Sequence, residues 1–137
     1  MRSDAEKTAE RRKIFSGSAY ERKYSYARAV LHGRNVLISG TTGYDYPNDV
    51  LAKGASEQTK QIFRNVLDVL SPLGADLGNV LRLRIYIARV EDYEAVMNAF
   101  AEAFRGIDPA CTTVQVGLFD PDILVEIDVD AVLDAVA

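Results

Sequence analysis

The chain has 137 residues, of which 48% are hydrophobic and 26% charged, with a formal net charge of −4 and a mean hydropathy of −0.06. This length fits one domain, residues 1–137, and such a domain buries roughly two-thirds of the surface that its unfolded chain exposes. The acidic balance argues against nucleic-acid binding, which needs a clustered basic surface. The one basic cluster, Arg11-Arg12-Lys13, stands beside Glu10 and is expected to be solvated.

The sequence also argues against membranes, metals and cofactors. No apolar run approaches the roughly 18 residues of a membrane span, and the acidic N-terminus does not resemble a secretory signal. A single cysteine, Cys111, cannot form an internal disulfide, so we expect a cytoplasmic protein. No Cys/His set suits a metal and no glycine-rich loop suits a cofactor phosphate.

The first third of the chain predicts three strands after a flexible segment, residues 1–11. Arg12–Phe15 starts a first strand, which Ser16-Gly17-Ser18 ends. Two strand-like runs, Tyr26–Leu31 and Val36–Gly40, flank His32-Gly33-Arg34-Asn35, a sequence suited to a tight hairpin. Because His32 is the only histidine and lies in this turn, we do not expect a histidine base. Residues 43–53 predict a loop.

Apolar residues at helical spacing predict two helices. The first starts at Ser56, a suitable N-cap, and ends near Pro72 and Gly74. The second runs from about Asp92 to Phe104, with Gly106 as its C-terminal stop. The apolar positions of the two helices are Ile62, Phe63, Val66, Leu67, Val69, Leu70 and Leu73 in the first, and Val96, Phe100, Ala103 and Phe104 in the second.

Three further strands are predicted in the second half. Residues Val80 to Ile87 alternate, with Leu81, Leu83, Ile85 and Ile87 expected on one face and Arg82 and Arg84 on the other. The last two strands lie in residues 109–116 and 124–129, with a turn between them. Past the first short strand, the order is strand-strand-helix-strand-helix-strand-strand. This order predicts an α+β fold in which two helices cover one face of the sheet.

Several short motifs, in this order and spacing, resemble the Rid family of reactive intermediate deaminases, also called YjgF-like proteins. The resemblance covers nearly all of the chain past Arg12 and rests on the following residues: Pro109–Val116, Leu124–Val129, Tyr26–Val30, Ile38–Thr42, Gln58, Gly74-Ala75 and Arg84–Ile87. It implies a chorismate mutase-like fold with a mixed six-stranded sheet. It also implies a homotrimer around a central barrel, with ligand clefts at the subunit interfaces.

An assembly of this kind would also cover the sheet face that the helices leave open. We expect that face to carry the apolar strand residues Val114, Val116, Val125 and Ile127. A monomer would leave them exposed as a large apolar patch.

The resemblance suggests which residues contact a ligand. Glu126 matches the glutamate that positions or activates the hydrolytic water, although it would also fit a surface glutamate that alternates with apolar neighbours. Tyr26 matches a tyrosine that lines the ligand pocket, and Ser39, Gly40 and Thr41 match a strand end whose backbone contacts ligand.

Two positions depart from the family pattern. Cys111 stands where active members have the arginine that holds a substrate carboxylate, and cysteine supplies no charge. We expect Cys111 to be buried as a small hydrophobe, with Thr113 on the same strand face. Met97 stands where many active relatives have asparagine. Arg28, two residues from Tyr26, is either a substitute cation or a solvent-exposed arginine.

These observations leave three functions open. The first is an enamine or imine deaminase, a hydrolase of C=N bonds, with altered or weak activity toward substrates that carry a carboxylate. The second is a non-catalytic trimer that binds a small metabolite or serves a structural role. An endoribonuclease, the third, is disfavoured by the acidic charge and the lack of a suitably placed histidine.

Overall fold

A computed structural model describes residues 11–135, and a mixed six-stranded sheet organises them. The predicted flexible segment 1–11 lies outside the described residues except for Arg11. The strands are β1 (Arg11–Ile14), β2 (Ala29–His32), β3 (Asn35–Thr42), β6 (Val80–Ile87), β7 (Ala110–Gln115) and β8 (Val125–Val132). Their order is β1-β2-β3-β8-β6-β7. Neighbours are antiparallel except for the parallel pair β6 and β7, which a helix connects.

The predicted helices pack on one face of this sheet. A short helix, α1 (Ala19–Tyr24), precedes them in the chain. The first predicted helix is α2 (Ala55–Leu70), and the second, α3 (Tyr93–Phe104), connects β6 to β7. Three aromatic rings, Phe63 of α2 with Phe100 and Phe104 of α3, join the two helices. The core between helices and sheet contains fully buried residues of both layers, among them Ile62, Leu70, Val96, Leu83, Ile85 and Ile127.

The structure moves the N-cap of α2 by two residues. The predicted N-cap Ser56 lies inside the helix, and Gly54, at φ 85°, occupies the N-cap position without a side-chain cap. The predicted end is confirmed. A 3₁₀ turn over Ser71–Leu73 follows Leu70, and Gly74 then adopts the left-handed conformation that favours glycine.

The predicted alternation of buried and exposed residues in β6 is wrong at one position, Leu81. Leu83, Ile85 and Ile87 are buried as predicted, but Leu81 is 56% exposed. The register with β8 shifts between Val80, which pairs with Ala131, and Arg82, which pairs with Asp130. This bulge inserts Leu81 as an extra residue, so Val80 takes the buried position instead.

The expected composition of the open sheet face is wrong in β8. Val125 and Ile127 are fully buried on the helix side. Because side chains alternate along a strand, Glu126, Asp128 and Asp130 face the open side instead. Val114 and Val116 are exposed there, as predicted, with Leu37. The open face is therefore only partly apolar.

Two local elements were not predicted. The six-residue α1 has Ser18 as its N-cap, whose hydroxyl accepts from the Tyr20 N–H. The predicted loop 43–53 contains a small hairpin of β4 (Tyr44–Asp45) and β5 (Val50–Leu51). Both elements lie beside β3, at the end of the sheet that carries the candidate site.

Candidate functional site

A bulge in β3 brings three of the predicted site residues together. The register between β3 and β8 shifts between Ile38 and Thr41, so Ser39 and Gly40 lie outside the regular pairing. The Glu126 carboxyl group lies over Gly40, since a Cβ atom added there would be 3.2 Å from the Glu126 carboxyl carbon. Glycine at position 40 therefore leaves room for this carboxyl group on the open face.

Arg28 is buried, so the expectation of a solvent-exposed arginine is wrong. Its side chain is 4% exposed and its Nη2 lies 3.1 Å from Oε2 of Glu21, whose side chain is 2% exposed. The same carboxylate accepts a hydrogen bond from the Ser16 N–H at 2.9 Å and another from the Ser16 hydroxyl. Glu21 and Arg28 thus form a buried ion pair, and Ser16 donates further hydrogen bonds to the Glu21 carboxylate.

The other side of the Arg28 guanidinium forms hydrogen bonds with the bulge of β3. Its Nη1 donates to the Gly40 carbonyl oxygen at 2.6 Å and to the Thr41 hydroxyl at 3.1 Å. The Tyr46 ring lies against it, 5.1 Å from Arg28 Cζ to the ring centroid. Ser39 closes the arrangement, because its hydroxyl donates to the Ala27 carbonyl and its N–H to the Arg28 carbonyl. Arg28 therefore connects α1 with the backbone around Gly40.

Glu126 lies in an electrostatic environment that favours its protonated form. Burial raises the pKa of Glu126, and the negative charge of Asp128 raises it further, while Arg28 opposes both effects. Asp128 is itself held by Arg84 Nη1 at 2.9 Å and by the Tyr86 hydroxyl at 2.8 Å. The pKa of Tyr26, which is 39% exposed, is also raised, chiefly by burial.

The remaining predicted residues lie on the other face of the sheet. Cys111 pairs with Leu83 and Thr113 with Ile85, both of which point into the helix-side core. Thr113 Oγ1 lies 3.6 Å from Cys111 Sγ and 3.6 Å from Met97 Sδ of α3. Within one chain, the predicted site is therefore divided into two sets of residues on opposite faces of the sheet. The Glu126 set (Ser39, Gly40 and Glu126) lies on the open face, and the Cys111 set (Cys111, Thr113 and Met97) lies at the helix-side edge.

Cys111 is exposed, so the expectation that it would be buried is wrong. It faces the helix side, but β7 is the last strand of the sheet, and its side chain remains exposed there. Hydrophobic patterning cannot indicate this, because exposure there depends on which strand forms the edge.

Two clefts accompany the two sets. A cleft of about 490 Å³ lies beside the Glu126 set, and we call it the α1 cleft; its lining residues are Arg11, Lys13, Phe15, Glu21, Arg22, Ser25, Tyr26, Ala27, Val30 and Ser39. A smaller cleft of about 160 Å³ adjoins the Cys111 set, and Thr113 and Tyr93 contribute to its walls. Tyr26 and Ser39 thus belong to the larger cleft and Thr113 to the smaller one.

Sequence reasoning missed the partners of the predicted residues. Glu21 lies in a short polar helix, a pattern typical of a surface residue. It is nevertheless buried, where it pairs with Arg28. Asp128 and Tyr86 were likewise not singled out, although both face the same side as Glu126. The one available signal was the alternation of acids in Glu126-Ile127-Asp128-Val129-Asp130, which places three carboxylates on one face.

Within residues 11–135, no group of three or more His, Cys, Asp and Glu side chains is arranged to hold a metal ion. In the same part of the chain, the helices are too short or too polar to cross a membrane.

Comparisons with known proteins agree with this fold. A crystal structure of a YjgF/YER057c/UK114 family member from Mycobacterium tuberculosis superposes with a TM-score of 0.80 at 35% identity, covering 90% of this chain and 99% of that one. An uncharacterized protein of Streptomyces coelicolor is 34% identical over 91% of this chain and 94% of its own length. The goat protein named 2-iminobutanoate/2-iminopropanoate deaminase is 32% identical, over 78% of this chain and 79% of its own.

The family assignment follows from a match along most of the chain. The model of the family described as Endoribonuclease L-PSP matches residues 17–133. The solved relatives share the chorismate mutase-like architecture, a mixed sheet with helices on one face. The chain therefore belongs to the Endoribonuclease L-PSP family, which is the YjgF/Rid family of the initial resemblance.

Proposed function

We propose that the protein is an enamine or imine deaminase that hydrolyses a small C=N compound to a carbonyl compound and ammonia. The observation that carries the proposal is the Glu126 carboxyl group, half-buried over Gly40 with a raised pKa. A carboxyl group whose pKa is raised toward neutrality is better suited to accept and return a proton. The goat and human relatives named as imine deaminases support this choice.

The reaction needs water, one base and no redox step. The Glu126 carboxylate takes a proton from water as the water oxygen bonds to the imine carbon and the C=N π electrons move to nitrogen. The nitrogen takes up a proton, and the resulting carbinolamine carries a hydroxyl and an amino group. Glu126 then protonates the amine, the C–N bond breaks with release of ammonia, and loss of the hydroxyl proton leaves the carbonyl product. Tyr26 and Ser39 shape the cleft beside this group.

We propose further that the working form is a homotrimer with clefts at the subunit interfaces. Within one chain, the Glu126 set and the Cys111 set lie on opposite faces of the sheet, so a second copy is needed for one cleft to contain both. Exposed apolar residues of the open face, Leu37, Val114 and Val116, would be covered by the same contact. Light scattering should give about three times the 15.1 kDa monomer mass, and a clean monomer would contradict the interface cleft.

Ammonia release from freshly generated 2-aminoacrylate tests the activity. Wild-type protein should accelerate release over buffer, and Glu126→Gln should lose roughly 100-fold or more of that acceleration, the usual contribution of a positioned acid or base. Glu102→Gln, an equivalent change at an exposed position of α3, serves as the matched control and should retain full activity.

Two results would reject the proposal in different ways. If Glu126→Gln is as active as wild type, Glu126 is not the catalytic group. If folded wild-type protein releases no ammonia above buffer from 2-aminoacrylate or its butanoate homologue, the non-catalytic metabolite-binding trimer becomes the better description.

A further inference from the structure

A glycine lies between Arg28 and Glu126. Arg28 directly precedes β2, Gly40 lies in β3 and Glu126 lies in β8, and these three strands are neighbours in the sheet. From one side, the Arg28 guanidinium donates to the Gly40 carbonyl oxygen at 2.6 Å. On the other side, a Cβ atom added at Gly40 would be 3.2 Å from the Glu126 carboxyl carbon. Because glycine has no side chain, the cation and the carboxyl group both approach this point of the backbone.

The backbone of the bulge depends on Arg28 for hydrogen bonds. Ser39 and Gly40 lie outside the regular pairing of β3 with β8, and a backbone group that leaves a strand ladder needs another partner. Arg28 Nη1 donates to the Gly40 carbonyl oxygen and to the Thr41 hydroxyl, and the Arg28 carbonyl accepts from the Ser39 N–H at 2.9 Å. One residue therefore fixes the segment over which the Glu126 carboxyl group lies.

Glu21 orients the guanidinium toward the bulge. Arg28 Nε and Nη2 lie 3.2 and 3.1 Å from Glu21 Oε2, which leaves Nη1 to face Gly40. Because the guanidinium is planar and rigid, these contacts define its orientation. Both side chains of the pair are buried, so solvent screens their charges weakly. The Glu21 carboxylate also reduces the net positive charge beside Glu126.

The other groups around Glu126 do not favour its charged form. Tyr86 of β6 pairs opposite it, Asp128 follows on the same face of β8, and Arg84 of β6 is bound to Asp128 at 2.9 Å. The facing part of β3 has no ionisable side chain. Burial raises the pKa of Glu126, Arg28 lowers it and Asp128 raises it. The charge of Arg28 is therefore the influence that favours the carboxylate.

We propose that Arg28 is a positioning residue for the Glu126 carboxyl group: it fixes the Gly40 bulge beside that group and supplies the positive charge that favours its carboxylate form. Glu21 holds the guanidinium in place and limits this charge. The inference rests on the proposed function, because Arg28 acts through the group that performs the reaction. The protonation of Glu126 can be followed without turnover, so the two proposals are tested separately.

A ¹³C NMR titration of the Glu126 carboxyl carbon, assigned by comparison with Glu126→Gln, tests the charge. Arg28→Gln should move the titration to higher pH, because the cation is lost. Glu21→Gln should move it to lower pH, because the guanidinium keeps its charge without the compensating anion. A purely structural role would move both in the same direction, since each change leaves a buried charge without its partner. Arg64→Gln, at an exposed position of α2, makes the same charge change and should titrate like wild type.

The pH dependence of ammonia release tests the same role in the reaction. On the acid limb, where kcat/KM depends on ionised Glu126, Arg28→Gln should lower kcat/KM about tenfold. At higher pH the loss should be smaller, because Glu126 is ionised in both proteins, and a loss of equal size at every pH would overturn the role of the charge. Arg28→Lys keeps the charge and should return the acid limb toward wild type, although an ammonium group cannot contact Glu21 and the bulge together.

The outcomes separate this inference from the proposed activity. If the Glu126 titration moves in opposite directions in the two single variants but no protein releases ammonia, the role of Arg28 stands and the deaminase proposal falls. If wild type releases ammonia but Arg28→Gln changes neither the titration nor the acid limb, the activity stands and the role of Arg28 is wrong.

A double variant covers the case in which Arg28→Gln does not fold. Glu21→Gln/Arg28→Gln leaves no buried charge of this pair without its partner, so it should be less destabilised than the single change. Its Glu126 titration should still move to higher pH, because the cation is absent. An unchanged titration in a folded double variant would reject the inference.

Discussion

The buried ion pair between Glu21 and Arg28 should dominate the stability of the site region. Removing one partner of such a pair costs about 3–5 kcal/mol, because the other charge is left buried without compensation. Arg28→Met should fall in this range, since it also leaves the Gly40 carbonyl and Thr41 hydroxyl without their donor. For a domain of this size, the loss corresponds to a fall in Tm of about 10–20 °C.

Urea unfolding at fixed protein concentration measures the change, because the stability of the proposed trimer would depend on concentration. A double-mutant cycle separates the pair from its surroundings. Glu21→Gln/Arg28→Met should cost at least about 1 kcal/mol less than the two single changes added together. Lys60→Met provides the control, since Lys60 pairs with Glu57 at 3.5 Å on the exposed face of α2 and should cost less than about 1 kcal/mol. An Arg28→Met loss no larger than that of Lys60→Met would refute the reasoning.

Three further predictions concern single residues. Glu126→Gln should be more stable than wild type at neutral pH, because a native-state pKa above the unfolded value means that ionised Glu126 lowers the free energy of unfolding. This gain, measured by urea unfolding at several pH values, should shrink as the pH falls through the acidic range and wild-type Glu126 becomes protonated. A gain that instead grows in acid would contradict the direction of the pKa shift. Gly43→Ala should destabilise by about 1–3 kcal/mol, because the added Cβ would be 2.7 Å from the Gln58 backbone, and an unchanged urea midpoint would refute that packing. Cys111→Arg should fold normally, since Cys111 is exposed, and should raise the affinity for 2-oxobutanoate about tenfold in the proposed trimer; unchanged affinity would mean that β7 does not reach the Glu126 carboxyl group of a neighbouring copy.

The sequence predicted the regular elements well because they depend on local periodicity. The helices α2 and α3 and the strands β6 and β8 follow from spacings of apolar residues that any chain context would preserve. The element α1 escaped notice because six mostly polar residues carry no clear period, and its position depends on Glu21 meeting Arg28, seven residues away.

The errors concern relations between elements. Alternation separates Val125 and Ile127 from Glu126 but does not say which set faces the helices. The exposure of Leu81 depends on a bulge that the pairing with Ala131 and Asp130 creates. The division of the candidate site between the two faces of the sheet depends on the strand order, which no local sequence pattern encodes.

The side chain of Gln58 sets limits on where this chain can change length. Its Nε2 donates to the Ala52 and Asp122 carbonyls at 3.1 and 3.0 Å, and its Oε1 accepts from the Leu124 N–H at 2.9 Å. One amide on α2 thus fixes the last residues of the connection between β7 and β8. Insertions after Leu124 or at Asp122 would displace β8 and with it Glu126. Around Phe119, which is fully exposed, extra residues would extend into solvent, so length variation among relatives should concentrate there.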